Sequence, residues 1–419
     1  MNAALSNVER LKALYDPDYV RRVDALDGAP VQVCLESRML NGTAGTGVAI
    51  YARMLAACLP AAGASPLLLD DDSGSGKSRT RLARWLAAAR AGSRVAVAEP
   101  AFAEAPAQWV VRDVFREAHV FFNLHGRSLA IEIARPPQVM HWTYPVPLHV
   151  VGAKNIYTIH DLIPITDPQL TGIDSTRHVN ILRDVVGHAH GIVTVSETVR
   201  AQVIERLGVP AARVTNTYQG VDAPLQADPS LPAGLRSGRY FFFCGRIETR
   251  KNLERLSRAH GESGATMPLV IVGPEVRGEE GLEAVLATRA NVIRLPWVPR
   301  AELLSMMRRA RALLFPSLAE GFGLPVAEAM TLGCPVLTSN RGAVAEVAGN
   351  AAVLVDPESP QEIAAAIVRL ERDDRLCARL RAAGFVRGRM FTQEIYARRL
   401  RALYAEALAG PPEACRSIR

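Results

Sequence analysis

The chain has 419 residues, 49% of them hydrophobic and 22% charged, with a formal net charge of +7 at pH 7. That length is too great for one ordinary core and predicts two domains, and the composition is that of a globular rather than a disordered protein. No run approaches the ~18–20 apolar residues needed to span a bilayer. The first residues carry acidic side chains and no apolar h-region, which argues against a signal peptide and for a cytoplasmic protein. The excess positive charge is arginine, dispersed along the chain without a nucleic-acid motif. It points to anionic small molecules and an anionic membrane surface as partners, not to nucleic acid. The cysteines at 34, 58, 244, 334, 377 and 415 are scattered with no CxxC pair, and several lie in apolar runs, so they read as reduced core residues.

In chain order, 1–28 reads as a helical lead-in and 30–35 as the first strand. The glycine-containing loop 41–48 (NGTAGTGV) and an apolar helix follow. Gly45, Thr46 and Gly47 have the start of a dinucleotide fingerprint, but Ile50 stands where its third glycine would be. Residues 72–78 (DSGSGKS) end like a phosphate-binding P-loop. The first glycine of that motif is replaced by Asp71, and three aspartates at 70–72 would repel phosphate, so the stretch reads as a polar loop. Asp70 and Asp72 also mimic a metal-binding DxD; nothing else supports that reading, and no metal is assigned. The segment 79–92 (RTRLARWLAAARAG) is a basic amphipathic helix, with Leu82, Trp85, Leu86 and Ala89 on one face. It suits either a membrane interface or an ordinary surface helix.

Strands are expected at 94–98 and 119–122. The run 156–159 (IYTI) is a buried strand that delivers His160 and Asp161 at its carboxyl end, where an open α/β sheet places ligand-binding groups. The strand 191–195 leads through the capping residue Ser196 into a helix ending near Gly208. A proline- and glycine-containing linker covers 223–237. The second half opens with strand 240–244, then Gly245-Arg246-Ile247-Glu248-Thr249-Arg250-Lys251-Asn252. The strand 268–272 ends at Gly273, which allows close approach of a ligand.

The stretch 315–356 carries most of the chemistry. A buried strand stops at Pro316. The loop Glu320-Gly321-Phe322-Gly323-Leu324 follows, then a helix primed by Pro325 and a second strand from Pro335. Gly321 and Gly323 let backbone N–H groups approach a ligand at the positive end of a helix. Glu320 and Glu328 would repel phosphate but suit vicinal hydroxyls, each of which donates to a charged acceptor. One carboxylate for a ribose, one for a sugar and amides between them for phosphate describe a nucleotide-sugar site.

Glu320 and Glu328 within EGFGLPVAEAM, with Pro335-Val336 and Glu346 beyond, resemble the donor-site signature of retaining GT-B glycosyltransferases, family 4 in particular. The resemblance extends over most of residues 31–405. It implies an α/β GT-B fold, two doubly wound Rossmann-like domains facing across a cleft. The N-terminal acceptor domain would cover 1–226, the donor domain 227–392, and a helix at 393–410 would cross back. It implies that Gly45, Thr46 and Gly47 face the donor diphosphate and that Arg246 and Lys251 bind it. It also implies that His160 lies beside the transferred sugar and that configuration is retained. Glu320 with Gly321, Phe322, Gly323 and Leu324 would hold sugar and phosphate, Glu328 the ribose and Gly273 the nucleotide. No cofactor beyond the nucleotide-sugar substrate is expected. IHDLIPITDP at 159–168 resembles bacterial polysaccharide mannosyltransferases, which favours GDP-mannose. dTDP-rhamnose and UDP-hexoses stay open, as do a non-transferring sugar-nucleotide-binding protein, an epimerase and a phosphorylase. The expected acceptor is a glycan or a polyprenyl-diphosphate-linked oligosaccharide on the inner face of the membrane.

Overall fold

The computed structural model describes residues 30–40, 47–71, 80–89, 95–97, 99–100, 108–223, 229–274, 280–289 and 291–409. The expected lead-in at 1–28, Gly45, Thr46, the 72–78 loop and Cys415 lie outside them. The chain forms two compact units. The first takes Met1–Thr158, Ile181–Val193 and Glu394–Arg419, the second Ile159–Asn180 and Thr194–Gln393.

The larger sheet runs in the order Val214–Asn216, Gly191–Thr194, Lys154–Ile159, Val139–Trp142, Val31–Glu36, Ala64–Asp70, Gln108–Val110, Glu99–Pro100. Val31–Glu36 pairs in parallel with both Ala64–Asp70 and Val139–Trp142. A small parallel sheet joins Val95–Val97, Leu129–Glu132 and Leu148–Val150. Helix Gly47–Cys58 buries Tyr51, Ala52 and Leu55 at helical spacing. The apolar run at 119–122, expected as a strand, instead lies in helix Val114–His125. Val114, Phe115, Ala118, Phe121 and Phe122 share its buried face, and Gly126 closes it with φ 66° and a 2.8 Å N–H bond to the Phe122 carbonyl. A short apolar window cannot separate the two readings; the longer 3–4 spacing does.

The final helix, Gln393–Ala409, is fastened into the first unit by a buried polar chain. Tyr404 Oη meets His141 Nδ1 at 2.9 Å, His141 Nε2 meets Thr158 Oγ1 at 2.9 Å, and Thr158 meets Tyr51 Oη at 2.9 Å. Each polar atom finds a partner where water is absent, so the helix gains a specified seat in addition to apolar burial.

The second unit is built on six strands in the order Val292–Leu295, Leu269–Val272, Phe241–Cys244, Ala312–Phe315, Val336–Ser339, Val353–Val355, and all five pairings are parallel. The central strands read as unbroken apolar runs because helices cover both faces of such a sheet. The strand order reverses between Phe241–Cys244 and Ala312–Phe315. An open α/β sheet has its crevice at that switch point, beyond the carboxyl ends of the strands.

Candidate active site

The loops leaving the two switch-point strands carry opposite charges and meet. Glu320 Oε1 accepts from Lys251 Nζ at 2.5 Å, and Glu320 Oε2 from Arg250 Nη1 at 2.8 Å. Arg250 also pairs with Glu248 at 2.7 Å. Lys251 is only 7% exposed, with its ammonium 5.0 Å from the centre of the Phe315 ring. Burial on its own would raise the Glu320 carboxyl, but Arg250 and Lys251 outweigh it and hold the group down at about 2. Burial pulls Lys251 below its ordinary value, against the attraction of Glu320.

The glycine loop after Glu320 is confined by close backbone approach. A Cβ on Gly321 would sit 1.8 Å from the His160 carbonyl oxygen, so no other residue fits there. Ser196 Oγ donates to the Gly321 carbonyl at 2.8 Å while accepting from Val199 N at 3.1 Å, capping helix Glu197–Leu207. Gly323 caps helix Leu324–Thr331, and Leu324 and Pro325 open it, so the loop amides lie at its positive end. The Phe322 ring is buried against Tyr218 and Phe391, at centroid distances of 6.4 and 5.4 Å. Phe322 therefore anchors the loop with its side chain and has only its backbone to offer a ligand. His160 follows strand Lys154–Ile159 and is partly exposed beside this loop. Asp161 caps the next turn, its Oδ1 accepting from Ile163 N at 3.1 Å. Glu346 accepts from Glu197 N, Thr198 N and Thr198 Oγ1 at 2.7, 2.8 and 2.6 Å, fixing the same helix start from another side.

Glu328, 2% exposed, lies one turn into helix Leu324–Thr331 and pairs with Arg300 at 2.7 Å. Burial pushes its carboxyl up, with Arg300 opposing. Arg300 also donates to the Asp222 carbonyl at 2.9 Å. Gly273 ends the neighbouring strand so close to Gly245 that a Cβ on it would lie 1.8 Å from the Gly245 oxygen. Arg246 is about half exposed, with Glu248 3.8 Å away.

His160, Lys251, Glu320, Gly321, Phe322, Gly323, Leu324, Glu328, Gly273 and Arg246 thus all belong to the second unit, whereas Gly47 begins helix Gly47–Cys58 of the first. Arg250 and Arg300 were not legible as partners of the two glutamates. A basic residue beside Lys251 was the only signal for Arg250, and Arg300 stands 28 positions from Glu328. No cluster of three or more His, Cys, Asp or Glu able to hold a metal occurs among the described residues. No described helix is long and apolar enough to cross a membrane. All five described cysteines are buried free thiols.

The profile of the family described as Glycosyl transferases group 1 matches residues 235–387, and that of Glycosyltransferase Family 4 matches residues 45–224. The chain is 30% identical over 256 residues to the O-antigen chain mannosyltransferase B of Escherichia coli, covering 58% of this chain and 67% of that one. It is 27% identical over 318 residues to the serotype-specific mannosyltransferase WbdA of the same species, but spans only 38% of that longer protein. Among solved structures, sucrose-phosphate synthase from Thermosynechococcus elongatus superposes with a TM-score of 0.65 at 20% identity, covering 90% of this chain and 99% of that one. HepE from Anabaena, solved with UDP and glucose, gives 0.64 at 14% identity with the same coverage.

Proposed function

This chain belongs to glycosyltransferase family 4, whose fold is GT-B, and on that premise we propose that it transfers mannose from GDP-mannose, with retention, to a glycan or polyprenyl-diphosphate-linked acceptor in polysaccharide assembly. The observation that carries the proposal is the pairing of Glu320 with Lys251 and Arg250 at the switch point, directly before a glycine loop at a helix N-terminus. A diphosphate leaving group gains charge as the glycosidic bond breaks. Lys251, Arg250 and Arg246 supply fixed positive charge, and amides of the 321–324 loop add donors. Glu320 is then the internal counter-ion that shares these cations with the phosphates and accepts from sugar hydroxyls. Glu328, oriented by Arg300, accepts from the ribose hydroxyls.

In the proposed step the acceptor oxygen attacks the anomeric carbon on the face from which the diphosphate departs. The carbon–phosphate oxygen bond breaks as the new glycosidic bond forms, and the acceptor proton passes to the departing phosphate oxygen. His160, beside Gly321, contributes a hydrogen bond to the transferred sugar. The mannosyltransferase names of the two Escherichia coli relatives support the choice of sugar.

The test is a thermal-shift panel of nucleotide-sugars, followed by NMR of the linkage formed with the best binder. Stabilisation by GDP-mannose and an axial, retained linkage are expected. Inversion of configuration sinks the mechanism, and stabilisation by UDP- or dTDP-sugars alone sinks the donor assignment. Turnover of donor without any acceptor would favour the epimerase reading.

A further inference from the structure

The edge of the second sheet holds an ion pair that the proposed chemistry does not use. Arg294, on strand Val292–Leu295, meets Glu283 through Nε at 3.1 Å and Nη2 at 2.9 Å, a two-pronged contact. Arg294 Nη2 also donates to the Gly273 carbonyl at 2.7 Å. Glu283 lies in the first turn of helix Glu280–Ala287. Neither side chain is sealed off: the exposures are 22% for Arg294 and 19% for Glu283. Two residues past the strand, Trp297 is 42% exposed, although tryptophan is highly buried on average.

These groups share the carboxyl end of the sheet with the switch-point loops. Gly273 touches the backbone of Gly245, and Gly245 leads to Arg246 and Lys251. From the edge inward the order is therefore a charged fork, then two glycines, then the cations, with Trp297 two residues past the edge strand. Resting on the reading of this region as a nucleotide-sugar site, we propose that Glu283, held by Arg294, reads the nucleobase and selects guanine, with Trp297 offering a stacking face.

The selection follows from donor and acceptor patterns. A carboxylate is acceptor-only with roughly four lone-pair sites, of which Arg294 occupies two. Guanine presents N1–H and an N2 amino group side by side, two donors that match the two oxygens of one carboxylate. Uracil and thymine present a single N3–H between two carbonyl oxygens, and both oxygens are repelled by a carboxylate. Adenine sets its amino donor beside the N1 acceptor, so it too meets one repulsive contact. Stacking on Trp297 tolerates any base, because each has a π-face. Specificity then lies in Glu283 and general affinity in Trp297.

The experiment is isothermal titration of the full chain with GDP, UDP and dTDP, for the native protein, Glu283→Gln and Trp297→Ala. The native protein is expected to prefer GDP. Glu283→Gln weakens GDP about 10- to 100-fold, the worth of a hydrogen bond to a charged group, and does not weaken UDP, whose carbonyl oxygens are no longer repelled. Trp297→Ala weakens all three nucleotides alike. The ratio of GDP to UDP affinity is read on one folded sample, so a loss of stability does not imitate the effect. A native preference for GDP that survives Glu283→Gln overturns this inference and leaves the GDP-mannose reading standing. A native preference for UDP or dTDP overturns both. Failure to bind any nucleoside diphosphate overturns the nucleotide-sugar site itself.

Discussion

Two glutamates lie near the reversal of strand order in the two larger sheets, Glu36 at the end of a strand and Glu320 in a loop beyond one, and have opposite electrostatics. In the second unit the strand order reverses beside Phe241–Cys244. In the larger sheet the first strand, Val31–Glu36, likewise lies between Ala64–Asp70 on one side and Val139–Trp142 on the other. Glu320 sits beyond the first of these reversals with two cations as partners, the buried Lys251 and the partly exposed Arg250. Glu36, fully buried, ends the strand at the second, and Thr143 Oγ1 and N donate to it. Burial pushes Glu36 up to about 7 and the hydroxyl bond only moderates this, whereas Glu320 is held at about 2. Topology makes the crevice in both places, and the charge of the neighbours decides what chemistry it supports.

The comparison breaks most sharply at Lys251. Lys251→Ala is expected to lower kcat about 10²- to 10³-fold, or about 3–4 kcal/mol of transition-state stabilisation, in a steady-state transfer assay. A loss of less than tenfold would mean that the Lys251–Glu320 pair is structural only.

The next effect is on pH-dependent stability. Glu36 has an ordinary value of 4.5 and a folded value of about 7. Between the two the folded chain keeps a proton that the unfolded chain has lost. Stability therefore falls as pH rises through this window, by about 3 kcal/mol at most. Denaturant titrations at pH 5 and pH 8 should show that fall flattened in Glu36→Gln. Glu320 has the opposite sign: its contribution is present above 4.5 and is lost as pH falls through about 2. Unchanged pH slopes in Glu36→Gln would remove the contrast between the two carboxylates.

Glu346→Ala is expected to destabilise by about 1–3 kcal/mol, because the N–H groups of Glu197 and Thr198 lose a charged acceptor. The urea midpoint reads this, and an unchanged midpoint would mean that water replaces the carboxylate without loss. The smallest effect is at Trp85, which is 49% exposed on helix Arg81–Ala89. Trp85→Ser should change stability by no more than about 0.5 kcal/mol. If the 79–92 segment meets an anionic bilayer, the same change lowers co-sedimentation with phosphatidylserine vesicles. Equal sedimentation of both proteins would leave it an ordinary surface helix.

Much of the second unit was legible because its signals are local. The apolar runs, Pro325 at a helix start and the glycines around Phe322 each specify backbone conformation within a few residues. The 119–122 stretch failed for the complementary reason: four apolar-rich residues carry no period long enough to distinguish helix from strand. Phe322 lies in the glycine loop after Glu320, but its ring turns to Tyr218 and Phe391, more than 60 positions away on either side. Arg300 and Arg294 reached their carboxylate partners only through the packing of separate elements.

The sequence by itself determined the α/β class, the strand ends that carry His160 and Gly273, and the glycine loop that follows Glu320. These follow from backbone sterics and hydrophobic period, which act over short stretches. Only the tertiary structure decided which groups meet: Glu320 with Lys251 and Arg250, Glu328 with Arg300, Glu283 with Arg294, and Glu36 with the hydroxyl and N–H of Thr143. The ionisation of a buried carboxyl depends on what lies within a few ångströms of it, and the fold, not the order of residues, sets that distance.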